Sequence, residues 1–386
     1  MELTNDELKR YGRHLILPEM GQEGQLKLKS AKILLVGAGG LGSPSAIYLA
    51  AAGVGTLGIA DFDKVELSNL QRQVIHFTKD VGRPKVVSAQ EKILQINPLV
   101  KVIGHETALN AQNALTILND YDLIIDGTDN FPSRYLISDA CVFLKKPYIY
   151  GAVFRFEGQV SVFGLNNGPC YRCLFSEPPP PEAAPSCAQA GVLGILPGII
   201  GLLQTNEAVK IICNMGEPLS GRLMVFDALA AQFREIQIKK DPECALCGPR
   251  RTIKELVEYA PICADQPSPN PSSTESQPPM IPEITVQELK TLLEKRSSDI
   301  YLLDVREQYE WDIARIKGAV LKPLSTLENN YQDIPKDKQL VVHCKVGGRS
   351  RHAVQFLKMK GYDNAVNVKG GIDAWAREID PTIAKY

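Results

Sequence analysis

The sequence predicts a two-unit α/β protein: a doubly wound, mainly parallel sheet that opens on a nucleotide-type βαβ unit, then a smaller α/β unit. Three observations predict it. Apolar β-formers at Ile33 to Val36 run into the glycine turn Gly37 to Gly42 and then into helical spacing from Ser45 to Ala52. Short strand-like and helix-like segments keep alternating after that, the pattern of parallel sheets with crossover helices. Finally, Ala264 to Pro282 consists almost entirely of Pro, Ser, Thr and polar residues, and a second strand-helix alternation follows it.

A chain of 386 residues exceeds one typical core, so two domains are expected. The net charge of −1, from 43 Lys+Arg against 44 Asp+Glu, gives neither a basic footprint for nucleic acid nor a cationic face for a membrane. Met1 to Leu15 is charged throughout and lacks the apolar core of a secretory signal. The longest apolar run, Gly191 to Leu203, contains Gly and Pro and falls short of the roughly 20 residues that span a bilayer, so it reads as a buried or dimer-interface segment. Nine cysteines without an export signal favour reduced thiols used for metal binding or chemistry, and a cytoplasmic location is expected.

In chain order, Leu8 to Leu17 has helical spacing, carries Arg10 and Arg13, and leads through a Gly21/Gly24 loop into the glycine turn. That turn reads as a phosphate cradle, because glycine lets backbone N–H groups approach phosphate oxygens and the following helix N-terminus adds partial positive charge. The strand Thr56 to Ala60 ends in Asp61, about 20 residues after the glycines, where a carboxylate accepts from a ribose hydroxyl. By itself this favours an NAD-dependent oxidoreductase. Ser68-Asn69-Leu70-Gln71-Arg72 and Lys85 tip the balance toward a triphosphate, since two cations can neutralise charge moving onto a pyrophosphate leaving group. The competing reading of Arg72 and Lys85 is a solvated surface pair.

Helices at Lys85 to Gln95 and Asn110 to Leu118 alternate with strands at Val100 to Ile103 and Asp122 to Asp126. Asp126-Gly127-Thr128-Asp129-Asn130 follows a strand end, which puts Asp126 and Asp129 near the triphosphate; an Asx turn and helix cap is the rival assignment. Two further strands, Tyr148 to Val153 and Gly158 to Val162, precede a change of character. Cys170-Tyr171-Arg172-Cys173 and Cys244-Ala245-Leu246-Cys247 are paired Cys-x-x-Cys knuckles, the ligand set of a closed, structural zinc site with four thiolates. Between them, Ser176 to Pro185 is too proline-rich for helix or central strand and should form an exposed loop that presents Cys187. Cys141 and Cys213, on apolar segments, read as buried and inert.

The last hundred or so residues pair a helix at Thr285 to Lys295 and a strand at Ile300 to Asp304 with a strand at Leu340 to His343 and a helix at Ser350 to Lys360. Cys344-Lys345-Val346-Gly347-Gly348-Arg349-Ser350 sets a thiol at the foot of a glycine loop entering a helix, where backbone N–H groups, the helix dipole and Arg349 would lower its pKa. Asp304 and Arg306 either orient this loop or form a plain ion pair.

Gly37 to Gly42, Asp61 to Gln73 and Lys85, together with the stretch from Arg10-Tyr11-Gly12-Arg13 to about Cys247, resemble the Rossmann-like adenylating domain of the ubiquitin-activating superfamily in its MoeB/ThiF branch. Leu302 to Glu307, the Cys344 loop and Gly370 to Trp375 resemble a rhodanese domain, with Arg315 where that family usually has histidine. The combined order resembles adenylyltransferase/sulfurtransferase fusions. The resemblance implies domains at 1–263 and 284–386 with a linker at 264–283. It implies Mg-ATP held by Gly40, Asp61, Ser68, Asn69, Leu70, Gln71, Arg72, Lys85, Asp129 and Asn130, with Zn2+ on Cys170, Cys173, Cys244 and Cys247. Catalysis would fall to Arg72, Lys85, Cys187 and Cys344, and to Arg13 reaching the partner subunit's ATP in a homodimer. The implied reaction is adenylation of the C-terminal glycine of a ubiquitin-like sulfur carrier of the MoaD/ThiS type, ending in Gly-Gly. Sulfur then passes from a Cys344 persulfide, loaded by a cysteine desulfurase or thiosulfate, to give a thiocarboxylate for molybdenum cofactor synthesis, with thiamine and tRNA thiolation as further candidate pathways. The rivals are an NAD-dependent oxidoreductase and a non-catalytic scaffold.

Overall fold

The computed structural model of the chain describes residues 2–179, 191–259 and 281–384. Its contacts divide into two compact units, Met1–Cys263 and Ala264–Tyr386. Cys187 and most of the 264–283 segment lie outside the described residues.

The first unit is built on an eight-stranded sheet of β1 (Lys32–Val36), β2 (Thr56–Ala60), β3 (Lys101–His105), β4 (Leu123–Asp126), β5 (Tyr148–Phe154), β6 (Glu157–Phe163), β7 (Arg222–Asp227) and β8 (Gln232–Gln237). Spatial order is β3-β2-β1-β4-β5-β6-β7-β8. β1 to β5 are parallel and β6 to β8 extend the sheet antiparallel. β1 is apolar on both faces because both are covered. Ile33 and Leu35 pack with helices Gly42–Ala52, Lys85–Ile96 and Leu196–Cys213, while Leu34 and Val36 pack with Ala114–Asn119 and Phe131–Leu144. From β1 the chain steps outward to β2 and β3, then returns to lay β4 on the other side of β1. A crevice therefore opens between β1 and β4 at their carboxyl ends, the place where open α/β sheets bind ligands.

Two local readings need correction. The N-terminal segment is two helices, Asn5–Arg10 and Gly12–Leu15, broken at the buried Tyr11. The Gly21/Gly24 segment is a helix, Gly21–Ser30; Gly24 sits there against Met20 and Cys213, so its small size serves packing and not a turn. The apolar run beginning at Gly191 becomes the helix Leu196–Cys213, which packs on β5 and β6. No helix among the described residues is long and apolar enough to cross a membrane.

The second unit has a five-stranded, all-parallel sheet of β9 (Glu283–Ile284), β10 (Ile300–Asp304), β11 (Val320–Leu321), β12 (Gln339–His343) and β13 (Val366–Val368), in the order β11-β10-β12-β13-β9. Alternate residues of central β12 feed two cores: Leu340 and Val342 on one face, Val341 on the other with Trp375. The carboxyl end of this strand delivers Cys344.

Candidate functional site

The crevice of the first unit encloses about 1010 Å³, part of it open to solvent. Its floor is the glycine turn, whose close approach is enforced by backbone sterics. A Cβ on Gly42 would lie 1.9 Å from the Gly37 carbonyl oxygen, and one on Gly40 would lie 2.9 Å from Pro197. Pro197 and Val192 supply one wall. Asp61 follows β2 directly and is tied to the turn: its Oδ2 accepts from Ala38 N and its Oδ1 from Asp63 N, both at 2.8 Å. Burial raises its pKa against the opposing pull of Lys85.

Lys85 opens the helix Lys85–Ile96 and is only 6% exposed, so it is no solvated surface cation; its Nζ donates to Asp63 Oδ2 at 2.8 Å. Arg72, half-buried, donates to Ser68 O at 3.2 Å. Gly40, Asp61, Arg72, Lys85, Asp129 and Asn130 all line the crevice. Ser68, Asn69, Leu70 and Gln71 do not; they form a rim turn closed by Asn69 Oδ1 accepting from Glu66 N at 3.0 Å. Arg13 lies on its short helix, outside the lining.

Beyond β4, Asp126 and Asp129 part company. Asp126 is fully buried, accepts at Oδ1 from Thr128 N (2.8 Å) and Thr128 Oγ1 (2.7 Å) and at Oδ2 from Tyr148 O–H (2.5 Å), and does not line the crevice. Asp129 lines it with no hydrogen bond or ion pair among the described residues. Asn130, which lines the crevice, is also a helix cap, its Oδ1 accepting from Ser133 N at 2.9 Å, the role the rival assignment gives this segment.

Sequence reasoning missed three crevice features. Gln73 is buried in the lining, next to the cation that was singled out, and its Oε1 has no partner among the described residues. Arg134, four residues past Asn130, lines the crevice from inside the helix Phe131–Leu144. His76 braces the floor. Its Nε2–H donates to Ala38 O at 3.0 Å, which fixes the tautomer and leaves Nδ1 to accept from Ser88 Oγ at 2.9 Å; burial lowers its pKa to about 4.

Cys170, Cys173, Cys244 and Cys247 converge, with all four sulfurs within 4.8 Å of one another and three pairs at 3.4–3.7 Å. Sulfurs at about 2.3 Å from a tetrahedral centre would stand about 3.8 Å apart, so the cluster fits a metal of zinc's size. Leu246, Val142, Phe143 and Ile253 pack around it as an apolar shell. Cys141 and Cys213 are buried apart from this cluster, and burial pushes the Cys213 thiol up to about 11.

In the second unit Cys344 is 1% exposed and its Sγ accepts from Gly347 N at 3.1 Å and from Ser350 Oγ at 3.3 Å. Gly347, at φ +106°, turns the loop into the helix Gly348–Met359. Arg349 forks onto Glu310 at 2.5 and 2.7 Å, so its charge is shared with a carboxylate. Asp304 and Arg306 form a fully buried pair at 2.6 Å, and Arg306 also holds Ala314 O at 2.7 Å. Arg315 is exposed and lies over the Trp311 ring at 5.6 Å.

Residues 11–246 match the ThiF family model and residues 285–378 the rhodanese-like domain model. The whole chain aligns at 46% identity with 96% of a protein named as a probable adenylyltransferase/sulfurtransferase, MoeZ, of Mycobacterium tuberculosis. It aligns at 43% identity with 82% of the Zea mays adenylyltransferase and sulfurtransferase MOCS3-2. A crystal structure of E. coli MccB with ATP superposes at a TM-score of 0.55 and 22% identity, covering 64% of this chain and 75% of that one, a likeness of fold alone.

Proposed function

Since the chain belongs to the ThiF family and carries a rhodanese-like domain after it, we propose that it is an adenylyltransferase and sulfurtransferase acting on a small ubiquitin-like sulfur carrier. The observation that carries this reading is one chain holding both a cation-lined crevice at the β1/β4 switch point and a thiol seated among N–H and O–H donors in a glycine loop. Residues 1–263 would form the ATP-binding unit, 264–283 a tether and 284–386 the sulfur-handling unit.

In the first step the carrier's C-terminal glycine carboxylate attacks the α-phosphorus of ATP and the bond to pyrophosphate breaks, leaving an acyl adenylate. The glycine turn and the helix behind it offer N–H groups to the phosphates. Lys85 and Arg72 compensate charge as it moves onto the leaving pyrophosphate, and Asp61 takes the ribose. Asp129 is the crevice carboxylate without a partner among the described residues, suited to Mg2+, which supplies further charge neutralisation when bound. Arg13 would complete the site across a homodimer. In the second step the outer sulfur of a Cys344 persulfide attacks the acyl carbon and AMP leaves; a second thiolate, for which Cys187 is the candidate, then attacks Cys344 Sγ, so that the S–S bond breaks, the thiocarboxylate leaves and a protein disulfide remains for an external thiol to reduce. Zinc on the four cysteines would be structural, since four thiolates leave no open position.

ATP–pyrophosphate exchange tests the reading directly. Exchange should depend on a carrier ending in Gly-Gly and vanish when that terminus is truncated. Exchange with no carrier dependence, or NAD in place of ATP raising the Tm, would sink it.

A further inference from the structure

Three arginines among the described residues are buried, and two of them are conventionally paired. Arg172 forks onto Asp139 with both bonds at 2.8 Å, and Arg306 grips Asp304 at 2.6 Å. Arg134 differs. It is 6% exposed, no carboxylate oxygen among the described residues lies within ion-pair distance, and its Nε is buried with no partner there. Its one hydrogen bond among them is a long one, Nη2 to Thr128 O at 3.3 Å. Asp126 attracts it through the protein interior, but its oxygens are taken by Thr128 and Tyr148 and it makes no ion pair with Arg134.

A buried guanidinium with its donors unspent is costly unless something arrives to use them. Arg134 is held by the rings of Phe131 and Tyr150, at 5.4 and 5.7 Å from their centroids, so its plane is fixed without consuming its N–H groups. It lines the crevice together with Asp129 and the residues of the glycine turn. A preorganised fork without a carboxylate suits a two-oxygen anion.

We propose that Arg134 directly binds an anionic oxygen pair of the reacting partners in this crevice, either the α-phosphoryl group of the nucleotide or the carboxylate that attacks it. The proposal rests on the adenylation reading for the identity of those partners, and its test separates the two. Calorimetry with a non-hydrolysable ATP analogue reads the phosphate arm, and the KM for a Gly-Gly-ended carrier in pyrophosphate exchange reads the carboxylate arm. Arg134→Gln should lower exchange kcat/KM by about a hundredfold. A nucleotide Kd raised about tenfold assigns the phosphate; an unchanged Kd with a raised carrier KM assigns the carboxylate. Arg134→Lys keeps the charge without the fork, is expected to retain the wild-type Tm, and should show the same loss about fivefold or more. Both constants within twofold of wild type, in whichever variant folds with its wild-type Tm, overturn the assignment. Wild-type protein that binds the analogue yet shows no exchange with any carrier refutes the adenylation reading instead, leaving the nucleotide arm to judge Arg134.

Discussion

Lys85 shows how much a single side chain's setting matters. A lysine at 6% exposure has one ion-pair partner, Asp63, itself half-exposed, and on the proposed function it would exchange that partner for phosphate oxygens. Lys85→Ala and Arg72→Ala should each reduce carrier-dependent pyrophosphate exchange by about 10²–10³-fold, measured at saturating ATP. Exchange within tenfold of wild type would remove that residue from the reaction. His76 makes a pH prediction. Burial, with Lys85 and Lys92 nearby against Asp80, depresses its pKa from 6.5 to about 4. Between those values the unfolded chain binds more protons at this residue than the folded one, so its contribution to stability is full above pH 6.5 and is lost as pH falls toward 4. The loss is on the order of 2 kcal/mol, and urea unfolding of wild type should fall more steeply with acidification across this window than that of His76→Gln. Parallel curves would show that His76 does not titrate there.

At the scale of elements, two short loops carry chemistry for different reasons. The cysteine knuckles bring together four sulfurs that would repel once ionised, and a bound cation would offset that repulsion. Elemental analysis should find one zinc per chain. Replacing Cys244 and Cys247 by serine should abolish it and lower the Tm; zinc retained in that double variant would contradict the assignment. The Cys344 loop has four residues, Lys345 to Gly348, between Cys and Arg. That is one fewer than the cradle of cysteine phosphatases, and on the proposed function the shorter loop would seat an outer sulfur in preference to a phosphate. Thiosulfate treatment should add about 32 Da to Cys344, the persulfide rung, and phosphatase turnover without that adduct would count against it. These elements were legible because their residue types are restricted: glycine where a Cβ would collide, cysteine where four sulfurs converge. Helix Phe131–Leu144 was not legible. It is buried through its middle, Arg134, Ser138 and Asp139 included, so its polar residues mark no solvent face by which to recognise it. Arg134 was lost with it, and Gln73 had no signal apart from its neighbour Arg72.

The whole molecule separates two chemistries between two units, and this gives the last prediction. Cys344→Ala should eliminate thiocarboxylate formation while leaving pyrophosphate exchange intact; loss of exchange would mean the division is wrong. Fold class was readable at this scale because hydrophobic periodicity reflects which faces are covered. β1 is buried on both faces and reads as an unbroken apolar run, whereas β8, exposed at all six positions, left no pattern to find.

The chain has two tryptophans, Trp311 and Trp375, and both stand in the second unit. One lies under the Arg315 guanidinium and the other is packed in a core with β12. The molecule is thus optically lopsided: indole emission is a built-in reporter for one unit alone, while the aromatic signal of the other comes from tyrosine and phenylalanine. Indole emission excited at the red edge therefore gives the second unit's own melting curve without a label or a truncation, while tyrosine ellipticity, which arises in both units, follows the whole chain.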